Sequence, residues 1–128
     1  MCSSDLLSEF LGLVIPIVGY SEYHHSLATA NLVDSCEIDD GWSATDRGAM
    51  STGAGHTATE NVFWNTTGAG LVRSQQFGNG YVIGTGPDVR LSTSDDWVEG
   101  RGEAADLVPA SLYGAQFEHR TGKAPESP

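Results

Sequence analysis

Basic residues are scarce in this chain. Its 128 residues include six lysines and arginines against seventeen acidic residues, a formal net charge of −11. A surface of that sign repels nucleic acid and anionic membranes, which proteins grip through lysine and arginine, so neither is expected as a partner. Neutral sugars, or anionic sugars bridged by a divalent cation, suit it better. Cysteine is nearly absent too: Cys2 and Cys36 indicate no disulfide framework, and Cys36 reads as a small buried hydrophobe. Long apolar runs are lacking. The most apolar stretch, residues 6–19, carries Glu9 near its start, has no basic leader and is interrupted by Pro16. It is too short to span a membrane, and residues 11–18 read as a strand with Pro16 at an edge or bulge. No pattern of oxygen ligands is present, so calcium is conceivable only from the acidic balance, and no metal or cofactor is expected.

What the chain does have is glycine, sixteen residues, and 39% apolar content. The first supplies tight turns at no steric cost, and the second is enough for one domain with a modest core. Three short apolar runs stand out: Asn31-Leu-Val-Asp-Ser35, Asn61-Val-Phe-Trp-Asn65 and Gly80-Tyr-Val-Ile-Gly84, with starts 30 and 19 positions apart. Turn-forming residues follow the second and third, and the spacers are rich in Gly, Ser, Thr and Asn. Such runs read as buried strands, and their repetition as coils of a stacked β solenoid. Weaker strand signals fall at Val89-Arg-Leu91 and Trp97-Val98-Glu99. Residues 107–122 change character. Pro109 suits a first helical turn, Leu112, Tyr113, Gln116 and Phe117 share one face, and Gly122 is a stop after the basic His119 and Arg120. A short amphipathic helix is expected there as a cover for an open edge or apolar end, with a polar tail over 123–128. Residues 1–6, Met1-Cys-Ser-Ser-Asp-Leu6, read as the translation of a sequencing adapter and are set aside. The coils then occupy 7–106, and the natural start and any secretion signal are expected upstream.

With these elements placed, the chain resembles the C-terminal part of right-handed parallel β-helix proteins of the pectate-lyase-like superfamily. The resemblance rests on Gly55-His56 leading into Asn61-Val-Phe-Trp-Asn65, on Val72-Arg-Ser-Gln-Gln76 and Gly80-Tyr-Val-Ile-Gly84. Asp96-Trp-Val-Glu-Gly100 and Val108-Pro-Ala-Ser-Leu-Tyr113 with Gln116 add to it. It implies an all-β fold, a single-stranded right-handed parallel β-helix of about three to four coils with a short C-terminal α-helix. It also implies a secreted or cell-surface protein that acts on polysaccharide, as a lyase or glycoside hydrolase, with this fragment alone inactive. The superfamily includes non-catalytic spikes, so a glycan-binding or purely structural protein is the alternative.

The site residues expected from that resemblance are Asp39, Asp40, His56 and Arg73 as catalytic groups. Asp39 and Asp40 could act as acid and base on a glycosidic bond, or simply close a turn. His56 could take a proton alpha to a uronate carboxylate, or bond to a neighbouring coil. Arg73 could hold a sugar carboxylate by a bidentate pair. Trp42, placed in the long 39–60 loop, is expected as a sugar-stacking platform, with Gln75 and Gln76 as further substrate contacts. Trp64 reads as packing between coils, and Asn31, Asn61, Asn65 and Asn79 as turn and stacking residues. His24 and His25 adjoin Glu22, but neighbours on a strand face opposite ways and seldom share a metal. Asp46 and Arg47 read as a surface ion pair.

Overall fold

The computed structural model describes residues 21–24, 28–50 and 55–124. The adapter-like residues 1–6, the strand expected over 11–18, His25 and the end of the tail lie outside them. Eight strands follow one another: β1 Ser21–Glu22, β2 Leu32–Asp34, β3 Gly41–Thr45, β4 Val62–Thr66, β5 Leu71–Gln75, β6 Tyr81–Thr85, β7 Arg90–Thr93 and β8 Trp97–Glu99. A 3₁₀ turn, Ala104–Asp106, and a helix, α1 Leu112–Thr121, complete the elements among the described residues. The strands sort into two four-stranded parallel sheets, β1-β3-β5-β7 and β2-β4-β6-β8. Each strand therefore pairs with the next but one, and the chain passes from sheet to sheet between pairings.

The three apolar runs become β2, β4 and β6, and their spacing is the register: Leu32 opposes Val62, which opposes Tyr81. Alternation then sorts side chains inward and outward. Val33, Phe63, Val82 and Val98 form one inward column across the second sheet. Trp42, Val72 and Leu91 face them from the first. Ile38 and Val89 close the core. The loop expected over 39–60 is interrupted by β3. Gly41-Trp-Ser-Ala-Thr45 has few strand-forming residues, but its Trp42 and Ala44 register with the inward Val72 and Ser74. At the corner before β5 the layers touch closely. A Cβ on Gly70 would lie 2.6 Å from the Ile38 carbonyl oxygen, so only glycine fits.

Every strand of the second sheet turns at the same place. Ser35, Asn65, Gly84 and Gly100 all have positive φ, at 53°, 51°, 65° and 64°. They follow the register partners Asp34, Trp64, Ile83 and Glu99. Gly84 has a second reason to be glycine: a Cβ there would meet Leu107 Cδ2 at 2.5 Å.

Before the second sheet lies a buried amide network. Asn61 is fully enclosed. Its Oδ1 accepts from the Asn31 backbone N–H at 3.0 Å and from Asn31 Nδ2 at 2.7 Å. Its Nδ2 donates to Gln76 Oε1 at 2.9 Å and to the Ala28 carbonyl at 3.2 Å. Gln76 returns the contact, accepting from Asn61 N–H at 2.9 Å and donating to its carbonyl at 3.0 Å. Gln76 is thus a buried structural residue, not a substrate contact. Its carboxamide is used up satisfying backbone groups that the turn would otherwise leave unpaired.

After β8 the chain doubles back across the outer face of the second sheet. Leu107 packs on Gly84. The Pro109 carbonyl accepts from Trp64 Nε1 at 3.0 Å, and the Ala110 carbonyl from Asn65 Nδ2 and Ser35 Oγ, both at 2.8 Å. The segment ends on Asp34, whose carboxylate accepts from Ser111 Oγ at 2.7 Å, Tyr113 N at 2.9 Å and Leu112 N at 3.1 Å. The helix therefore begins at Leu112, not at residue 107, because these sheet contacts hold 107–111 in a bent, non-helical strap. Ser111 caps it, accepting from Gly114 N, and Gly122 ends it in a left-handed turn. The helix buries none of its residues. What covers the sheet is the strap that leads into it.

Removing the Asn61 side chain strands the Gln76 and Asn31 groups it satisfies. Asn61→Ala is expected to lower unfolding free energy by about 3 kcal/mol, measurable as a shift of the urea midpoint. Asp34→Ala should act locally. Hydrogen exchange at 111–121 is expected to quicken about tenfold or more, as for a lost helix cap, while exchange in β4 and β6 stays unchanged.

Candidate functional site

Sheet register brings four side chains into one outward row on the first sheet: Glu22, Ser43, Arg73 and Ser92. Thr45 and Gln75 form the row beside it. Gln75 is half-buried and donates from Nε2 to Ser92 Oγ at 3.2 Å. Ser43 and Thr45 share a hydrogen bond of 2.9 Å. Over these rows opens a shallow cavity of about 270 Å³ lined by Glu22, Ser43, Thr45, Arg47, Met50 and Arg73.

Two of those residues come from the connection after β3. The β3-to-β5 period is 30 residues and the β5-to-β7 period is 19, so this connection is longer by 30 − 19 = 11 residues. Its Arg47 donates to Glu22 Oε2 at 2.5 Å, and His24 Nδ1 meets the other Glu22 oxygen at 2.6 Å. Its Asp46 accepts from Thr57 N at 3.0 Å and Gly48 N at 3.3 Å and bonds His56 Nδ1 at 3.3 Å. His56 stacks on Phe77, which follows β5, with ring centroids 4.4 Å apart. With Nδ1 on Asp46, the imidazole leaves Nε2 on its far edge, and the side chain is 60% exposed. A carboxylate that orients a histidine while its second nitrogen is accessible is the arrangement of a general base. Sequence reasoning missed Glu22, Arg47 and Asp46. Asp46 and Arg47 are not paired with each other, because adjacent residues diverge; each serves a different neighbour.

The expected catalytic residues occupy different ends of the sheet. Arg73 lies in the middle of its outer face. His56 lies at the exit of β3 and β5. Asp39 and Asp40 lie at the entry of β3, where the Asp40 carbonyl accepts from Leu71 N at 2.7 Å and closes the corner. Asp40 and Asp46 flank an extended strand, about 20 Å apart along it. The structure therefore does not gather the two aspartates with His56. Trp42 is in β3, not in a loop. It points inward beside Tyr23, with centroids 6.2 Å apart, so it is core rather than a sugar platform. Asn65, which with Thr66 and Thr67 spells an N-glycosylation sequon, has its amide engaged by the Ala110 carbonyl. Among the described residues no three His, Cys, Asp or Glu side chains are grouped to hold a metal. No helix among them is long and apolar enough to cross a membrane.

Two carboxyls at this site titrate low. Burial pushes Glu22 upward, but hydrogen bonds and charge from Arg47 and His24 outweigh it and hold it below its ordinary 4.5. Asp46 is likewise raised by burial and lowered more by Thr57 N–H, Gly48 N–H and His56, to below 3.8. Both folded values are depressed. Their stabilisation is complete above the ordinary values and is lost as pH falls through the folded ones. Carboxyl-detected NMR titration should therefore find Glu22 below 4.5. In Arg47→Ala its midpoint should move up.

Comparison of the chain with protein-family models, with curated proteins and with solved structures gives no match to any of them.

Proposed function

We propose that the chain is the C-terminal part of a secreted, right-handed parallel β-helix protein of the pectate-lyase-like kind that binds and acts on an acidic polysaccharide. The helical reading is supported by parallel pairing of each strand with the next but one, without a helical crossover among the described residues. The right hand follows from the strong preference of parallel crossovers for it. The functional reading is carried by one observation: Arg73 stands in the centre of the outer face of the first sheet. Hydroxyl and amide groups of Ser43, Thr45, Gln75 and Ser92 surround it, beside the cavity that the long β3–β4 connection walls. An arginine whose neighbours in the sheet are uncharged hydrogen-bonding groups suits a sugar carboxylate, the one carboxylate lining the cavity, Glu22, being taken up by Arg47 and His24, while the hydroxyls suit the ring.

The separation of Asp39 and Asp40 from His56 favours elimination over hydrolysis. In that step His56 Nε2 takes the proton alpha to the uronate carboxylate. The C–H electrons form the new double bond, the bond from C4 to the glycosidic oxygen breaks, and that oxygen leaves as a hydroxyl by taking a proton from water. Arg73 stabilises charge gathering on the carboxylate. Arg73 and Phe77, on which His56 stacks, are separated by at most about 13 Å of chain, within reach of two long side chains from either end. A non-catalytic glycan-binding or structural surface protein is the second reading, favoured by the ladder of small hydroxyl residues, Ser43, Thr45 and Ser92, on the same face.

Calorimetry of the chain with a galacturonate oligomer tests this. Arg73→Ala is expected to weaken binding about tenfold or more, as for a lost charged hydrogen-bond pair. His56→Ala should leave binding within about twofold. Unsaturated product, seen by ultraviolet absorbance and lost in His56→Ala, assigns the lyase. Arg73-dependent binding without product keeps the glycan-binding surface and moves the product assay to the full-length protein, and no Arg73-dependent binding removes both glycan readings and leaves the purely structural one.

A further inference from the structure

The second sheet carries an outward row independent of the site on the first. Leu32, Val62, Tyr81 and Trp97 are register partners on β2, β4, β6 and β8. At strand spacing the row is about 14 Å long. The strap of residues 107–111 covers the neighbouring row but not this one. Trp97 is 62% exposed and Leu32 37%. An apolar and aromatic stripe crossing every layer is more than scattered surface hydrophobicity.

Its aromatic end is ringed by acid. Tyr81 Oη donates to Glu60 Oε2, and Trp97 Nε1 to Glu99 Oε2, both at 3.2 Å. Glu99 continues into a depression of about 160 Å³ whose lining includes Ile83, Leu107, Glu103 and Asp106. Among the described residues none of these four carboxylates forms a salt bridge. The negative field is felt by the Tyr81 phenol, which Glu60 holds above its ordinary value. Each of these two carboxylates is thus held beside a ring by that ring's own polar group. Glu60 Oε1 also accepts from Asn79 Nδ2 at 3.0 Å, so the ring faces, the second lone pair of each Glu60 oxygen and the Glu99 carboxylate are what a ligand can engage. Ring face plus carboxylate is complementary to a cation.

We propose that this stripe is a docking surface for a lysine- or arginine-bearing segment of a protein partner. The segment lays apolar side chains on Leu32 and Val62 and its cation over Tyr81 and Trp97, between Glu60 and Glu99. Charge complementarity selects this occupant over an acidic polysaccharide, which the same carboxylates repel. The inference does not depend on the function proposed for the first sheet.

The probe is a capped Leu-Arg hexapeptide, with a citrulline-substituted version and a neutral glucose oligomer alongside. The Trp97 indole N–H is followed by NMR and affinity by peptide anisotropy. The arginine peptide is expected to move the Trp97 resonance saturably, and the other two are not. Trp97→Ala should weaken binding about fivefold, and Trp97→Phe should retain most of it. Glu60→Gln with Glu99→Gln should weaken it further, while Arg73→Ala leaves it unchanged. The proposal is overturned if the arginine peptide fails to move the Trp97 resonance, or if the citrulline peptide or the sugar moves it as much. It is also overturned if Trp97→Ala and the glutamine pair bind the arginine peptide as tightly as the parent chain, which would mark general attraction to the net charge.

Discussion

The Asn61 carboxamide ties three successive layers together where the chain has no sheet to rely on. Above it are Asn31 and Ala28, below it Gln76, and all of its polar atoms are engaged. Parallel strands pair only where they are extended, and the turns between them contain backbone groups that must be satisfied some other way. A buried amide supplies a donor and an acceptor in one plane, so it can link the layer above to the layer below. The inward columns of the sheets then stack without slipping. A one-residue slip would carry Phe63 and Val72 to the outside, and the same amide would lose its partners. Register and polar satisfaction thus reinforce each other.

Asp34 plays the complementary role on the outer face. Stacked sheets expose their outward rows, and here one row is covered by the chain's own return path. That path crosses from the third layer to the first and is fastened at its end by a carboxylate at a helix start, where both the free N–H groups and the helix dipole favour negative charge. The fastening explains why an exposed helix exists at all. With none of its residues buried, α1 is held by its cap and by the strap before it, not by packing of an apolar face.

The strands of the second sheet were legible in the sequence because Val33, Phe63 and Val82 sit in runs of apolar residues bounded by turn formers, and because the 30- and 19-residue spacings are the true register. The first sheet was harder to see. In Gly41-Trp-Ser-Ala-Thr45 the inward positions are held by Trp42 and Ala44 and the outward ones by small hydroxyls, a pattern that local propensity reads as loop. That misreading put Trp42 in a groove when it belongs to the core. Arg73 and His56 were singled out by residue type and order, but their distance from Asp39 and Asp40 was not legible, since the strand β3 that separates Asp40 from the loop of His56 is one that local propensity does not reveal. Gln76 looked like a surface amide because nothing local marks a side chain that folds back under its own turn. The Glu22–Arg47 pair, 25 residues apart, arises only once layers are stacked.

The unequal periods of the layers have a consequence for how such a protein changes. After an excursion of 16 residues between β3 and β4, or of five between β5 and β6, the chain re-enters the same stack at the same place. Excursion length is therefore uncoupled from the frame. Insertions at the exits of the first-sheet strands can lengthen, shorten or exchange their cargo of charged and aromatic residues, one layer at a time, while the neighbouring layers keep their pairing. Variation is channelled to one rim of the molecule, and the chemistry there can diverge faster than the fold that carries it.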